Sequence, residues 1–192
     1  MKQAPRTRED VVTAPQAGSI ATVAPENAEQ VGQRIGLAQI KSAQLQDMLD
    51  LWTLKKGRRR FPAREDITPR DMKSFLRNVT LIRITNDGMD FEYRVMGDAV
   101  MQAWGRSFVG MDAAQLNDIR GGMGDVMQRI CASVAGRGEP LVVRGELSKG
   151  EFEHIGQECL FLPLGSGDQT VDHVLGVSAF AAPTPFSSAS HR

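Results

Sequence analysis

FEYRVMGDAVMQAWGRSFVGMDAAQL, residues Phe91 to Leu116, contains the change of rhythm on which the fold reading turns. Met89, Phe91, Tyr93 and Val95 alternate with Asp90, Glu92 and Arg94, and a period of two marks a strand with one buried face. Gly97 breaks the run, Asp98 stands where it caps a short helix carrying Val100, Met101 and Trp104, and Gly105 supplies a left-handed stop. A second glycine-punctuated segment holds Phe108, Gly110, Met111 and Leu116. A strand feeding straight into short apolar helices suits a curved antiparallel sheet roofed by small helices, and such a roof covers a pocket.

Upstream, Val79–Thr85 is β-branched and apolar, and Asn86-Asp87-Gly88 supplies turn chemistry, so the two runs predict a hairpin. Before it, Thr68, Pro69 and Asp71 form a capping box, with Ile67 placed to staple onto Met72. They predict a short helix ending near Asn78 that turns Met72, Phe75 and Leu76 inward. From about Leu37 to Lys56, Ile40, Leu45, Met48, Leu49 and Trp52 fall at helical spacing, and Leu51 and Leu54 add a second apolar edge. That helix either packs on its own domain alone or also joins a second copy. Downstream, Met123, Val126, Met127, Ile130, Cys131 and Val134 trace one face of a longer helix over about 122–135, stopped at Gly136. Three strand-like runs close the chain, over about 141–147, 152–164 and 172–181, and their turn-rich links predict consecutive antiparallel pairing.

At 192 residues with 41% hydrophobic content, the chain has room for one ordinary core plus tails. Residues 1–36 are read as a flexible tail, 37–78 as N-terminal helices with a basic linker, 79–181 as the core and 182–192 as a disordered C-terminal tail. Net charge is zero, so no whole-molecule field draws the chain to nucleic acid or to anionic lipid. No long apolar run or h-region occurs, and the expectation is a cytoplasmic protein without membrane insertion.

Trp52 with its basic cluster, Phe61-Pro62-Ala63-Arg64, Ile67-Thr68-Pro69, Phe91–Gly97, Gly105–Gly110 and Leu162-Pro163-Leu164 together resemble a small bacterial, mostly stand-alone subfamily of PAS domains, whose strand motif has the form YRLxGT. Asp98 stands where a Thr is common in that motif. The resemblance covers roughly Leu51 to Phe180. It implies an α+β fold: a five-stranded antiparallel sheet in the order 2-1-5-4-3, with short helices and one longer helix on one face and an N-terminal helical extension. It also implies a sensory or interaction module without catalytic machinery, which acts through a signalling protein partner, as a homodimer, or both.

Under the expected roof, the candidate ligand-pocket residues are Phe91, Tyr93, Val95, Val100, Met101, Trp104, Met127, Cys131, Phe161 and Phe180. Met and aromatic side chains suit a small hydrophobic ligand, and they suit a filled core equally. Arg58, Arg59, Arg60 and Arg64 are candidates for binding a polyanion, although positive charge is also favoured at a helix C-terminus. Haem is not expected, because no His lies between Gly121 and Gly138; His154 and His173 sit on late strands as ordinary polar residues. A photoactive flavin is not expected either, since Gly110–Leu116 lacks the cysteine that chemistry requires. Cys131 and Cys159 have neither the spacing nor the neighbours of a metal site, and Cys131 falls on the apolar stripe of the long helix. No GxSxG or Ser-His-Asp context occurs, and Gly121-Gly122-Met123-Gly124 does not follow a strand, so no catalytic residue is expected.

Overall fold

The computed structural model describes residues 32–148, 154–167 and 169–181. In chain order its strands are Gln33–Ile35 (β1), Val79–Thr85 (β2), Asp90–Met96 (β3), Leu141–Ser148 (β4), His154–Leu164 (β5) and His173–Phe180 (β6). The α-helices are Ala43–Lys56 (α1), Asp98–Trp104 (α2), Ala113–Ile119 (α3) and Met123–Arg137 (α4). The strands form one antiparallel sheet in the order β1-β4-β5-β6-β2-β3. Five strands in the order 2-1-5-4-3 were expected, and the sheet instead has six. Gln33–Ile35, assigned to a flexible tail, adds itself to the edge beside β4 with Ile35 opposite Val142. A strand of three residues is too short to display a period. The expected hairpin β2–β3 and the β4–β5–β6 meander are both present.

Both faces of the sheet are covered, because alternate residues of each strand point to opposite sides. Ile82, Phe91, Tyr93, Met96, Val143, Phe161 and Val174 face α2–α4, and with Leu116, Met127, Cys131 and Val134 they make one core. Leu81, Val142, Leu160, Leu162, Leu175 and Val177 face α1, and pack on Leu45, Met48, Trp52 and Phe61 in a second core. The buried Trp52 indole N–H donates to the Pro163 carbonyl at 2.9 Å, which pins α1 to β5.

Local departures from the expected elements have local causes. α1 starts at Ala43, and Leu37–Gln39 is a separate 3-10 turn that leaves Leu37 exposed. The Thr68–Asp71 capping hydrogen bonds form, but no α-helix follows: turns lead to a 3-10 segment over Leu76–Asn78, and Leu76 is exposed. The chain then enters β2 at Val79. Asp98 is the first residue of α2 rather than its cap and pairs with Arg77 at 3.0 Å, while Gly97 is the N-cap. α4 runs through Gly136 and stops at the left-handed Gly138. The read C-terminal tail 182–192 lies outside the described residues.

Candidate functional site

Between the sheet and α2–α4 lies a cavity of about 40 Å³. Val100 and Trp104 from α2, Phe108 from the following loop, and Met123 and Met127 from α4 form its roof. Thr80, Tyr93, Met96, Val143, Gln157, Cys159, Phe161 and Ser178 form its floor and walls. Strand register sets the floor. Thr80 and Phe161 flank Gly176 in one rung, and Cys159 lies opposite Ser178 two residues along β6, on the same face. A Cβ at Gly176 would sit 2.3 Å from the Thr80 hydroxyl oxygen, so the bare backbone at 176 is what lets Thr80 lie over β6.

Of the expected pocket residues, Tyr93, Val100, Trp104, Met127 and Phe161 line this cavity. Phe91, Met101, Cys131 and Phe180 pack in or against the surrounding core without reaching it. Val95 is corrected: it lies on the opposite face, 47% exposed, in a groove with Ile67, Met72 and Leu76. The cause is a β-bulge. Leu81 pairs with Val95 and Ile82 with Tyr93, which leaves Arg94 as the extra residue; the alternation slips there, and Met96 turns inward instead. The Phe108 N–H then points at the Met96 sulfur, 3.4 Å away.

An aromatic chain runs from strand to roof. Phe91 meets Tyr93 edge-on at 5.7 Å between centroids, Tyr93 meets Phe108 at 5.9 Å, and Phe108 meets Trp104 at 6.1 Å. The Arg120 guanidinium lies 5.1 Å from the Trp104 ring centroid and donates to the Trp104 carbonyl at 3.2 Å, which fastens the end of α3 to the end of α2.

Sequence reasoning missed Met96, Phe108, Met123, Val143 and Cys159 among the lining residues, and it missed the polar Thr80, Gln157 and Ser178. Thr80, Gln157, Glu158 and Ser178 are the buried polar or charged residues among the described residues, and all but Glu158 line this cavity. Thr80 and Ser178 sit inside apolar strand runs and Gln157 in the mixed start of β5, and only the register of β2, β5 and β6 brings them to one face. The Cys159 thiol and Ser178 hydroxyl are 3.3 Å apart, and the thiol lies 3.9 Å from the Gln157 amide oxygen. Burial pushes the Cys159 thiol up to about 11, against a lowering by the Ser178 hydrogen bond. Burial likewise pushes Cys131 up to about 12 and raises the Tyr93 phenol. Burial therefore favours the neutral form of all three groups.

The basic segment is partly spent on the fold. Arg59 pairs with Asp66 at 2.6 Å and donates to the Lys55 carbonyl, while Arg60 donates to the Gly136 and Arg137 carbonyls at the end of α4. Arg58 and Arg64 are exposed. His173 Nδ1 sits 2.7 Å from Asp172, and the side chain of His154 lies outside the described residues. No group of three metal-ligating side chains occurs among the described residues, and no helix there is long and apolar enough to cross a membrane.

No curated protein matches the chain. Among solved structures, the PAS domain of Bordetella pertussis BvgS is similar at 14% identity and a TM-score of 0.44, over 58% of this chain and 81% of that one. The family model described as PAS domain matches residues 40–179, the span that includes α1, the roof helices and every strand except β1. By that match the chain belongs to the PAS domain family.

Proposed function

We propose that this chain is a non-catalytic sensory module in which a small ligand enters the space under α2–α4 and alters how the roof packs, and that it acts through a signalling protein partner. The observation that carries this reading is the cavity itself. Well-packed interiors hold few voids large enough for water, and this one lies where the Gly-flanked α2 and the α4 helix meet the sheet. Its volume corresponds to about three waters at roughly 10–15 Å³ each, well below the ~300–1,000 Å³ of drug-sized pockets. That size supports a ligand much smaller than haem or flavin. The strand motif around Phe91–Gly97 supports a place among the small bacterial members of the family.

One observation favours a second reading, a constitutive dimer or interaction module. Leu54, on the outer side of α1, is 76% exposed. A polyanion role for the basic segment has less support, since Arg59 and Arg60 are already engaged.

Native mass spectrometry separates the readings. The expected result is a small adduct on the purified wild-type chain that is lost in Trp104→Ala, which opens the roof, and in Ser178→Leu, which fills the cavity from below. An adduct-free chain that self-associates through α1, with dimerisation abolished by Leu54→Ser, would replace the sensor with the constitutive module.

A further inference from the structure

We infer that the cavity takes a neutral ligand with a carbonyl or amide edge, which lies against Thr80, Gln157 and Ser178 while its apolar side faces Val100, Trp104 and Met127. This inference rests on the reading of the cavity as a ligand site and names the class of molecule that the site accepts.

Three observations carry it. First, polar side chains are costly to bury, and the described residues concentrate theirs on this one floor: Thr80, Gln157 and Ser178, three of the four that are buried. An apolar floor of the same shape would pack at least as stably. Second, the roof of Val100, Trp104, Phe108, Met123 and Met127 is apolar apart from the Trp104 indole N–H, so polarity is weighted to the floor and gives a ligand an orientation. Third, no Asp, Glu, Lys, Arg or His lines the cavity. A charged ligand would lose its hydration and meet no opposite charge. The two hydroxyls and the carboxamide can each donate and accept, which matches an amide or carbonyl edge and does not match a purely apolar molecule. Three waters represent roughly 90 Å³ of liquid, which is room for a fragment the size of acetamide.

Isosteric probes test the class. The ¹⁵N-labelled chain is titrated with acetamide, acetate and acetamidinium, and separately equilibrated with xenon. Acetamide is expected to shift the backbone amides of Gln157, Cys159 and Ser178 saturably, while neither ion does so at equal concentration. Ser178→Ala and Thr80→Val are expected to weaken acetamide by roughly fivefold or more, the worth of one neutral hydrogen bond, and Thr80→Ser, which restores the hydroxyl, is expected to recover it. Saturation by acetate or acetamidinium instead would overturn the inference. So would saturation by xenon without acetamide, although that outcome leaves a ligand site standing for an apolar occupant. If none of the probes, xenon included, reaches these amides, the inference and the ligand-site reading fall together.

Discussion

A methyl group added at Gly97 would come within 2.4 Å of the Leu76 and Arg77 carbonyl oxygens, so the chain entering β2 and the chain leaving β3 cross with room only for hydrogen. Both clashing atoms are backbone, which cannot rotate away. Gly97→Ala is therefore expected to lower stability by about 2–4 kcal/mol through overpacking at the start of α2. Gly136 makes the matched contrast. It lies within α4, and a Cβ there meets nothing within 4 Å. Gly136→Ala is expected to raise stability by about 0.5–1 kcal/mol, since it removes backbone freedom only from the unfolded chain. Thermal melts of the two variants should move in opposite directions, the second by roughly 2–4 °C or less. A Gly97→Ala protein that melts with the wild type would show that the crossing has slack.

β5 touches both layers within three consecutive residues: Gln157 and Cys159 face the cavity, and Glu158 between them faces α1. The Glu158 carboxylate accepts from the Ser42 N–H at 3.0 Å and the Lys41 N–H at 3.1 Å, and from the Arg144 side chain at 2.7 Å, so a strand residue supplies the cap that Ser42 itself does not make at the start of α1. Burial pushes this carboxyl up, but the hydrogen bonds from Ser42, Arg144 and Lys41 outweigh it and hold it below the ordinary glutamate range. A carboxylate whose folded value is depressed stabilises fully above its unfolded value, about 4.3, and that contribution is lost as pH falls through the lower folded value. Glu158→Gln is accordingly expected to cost about 1–3 kcal/mol at neutral pH, with the gap to wild type closing in acid. Hydrogen exchange of the α1 amides measures it, and a gap that does not change with pH would remove the charge from the account. The elements on either side of this clasp were legible to different degrees. The stripes Leu45-Met48-Trp52 and Met127-Ile130-Cys131-Val134 repeat often enough to show their period, as does the β2–β3 hairpin. The slip at Arg94 was not legible, because a bulge is set by the partner strand and leaves the sequence alternating. Thr80, Gln157 and Ser178 were hidden for a related reason: their meaning lies in register across three strands, and none of them alone marks a site.

At the scale of the molecule, the sheet is the middle of three layers, and α1 belongs to the core of the structure as much as the roof does. Ile40, Leu45, Met48 and Trp52 are buried against Leu160, Leu162, Leu175 and Val177. Burying a large apolar side chain contributes roughly 1.5–3 kcal/mol, so these four together contribute an amount comparable with the whole stability of a typical domain, about 5–15 kcal/mol. A chain beginning at Gly57 keeps the roof, the cavity and five strands, yet leaves that apolar face open to water. It is expected to lose its cooperative thermal transition and to bind a hydrophobic dye. Leu54→Ser tests the same helix from its outer side, where the side chain is exposed, and is expected to leave the melt of the full chain unchanged. If the truncated chain melts cooperatively near the full-length temperature while Leu54→Ser does not, α1 serves contacts between copies rather than the interior, and the two-sided sheet is the wrong description of what holds this protein together.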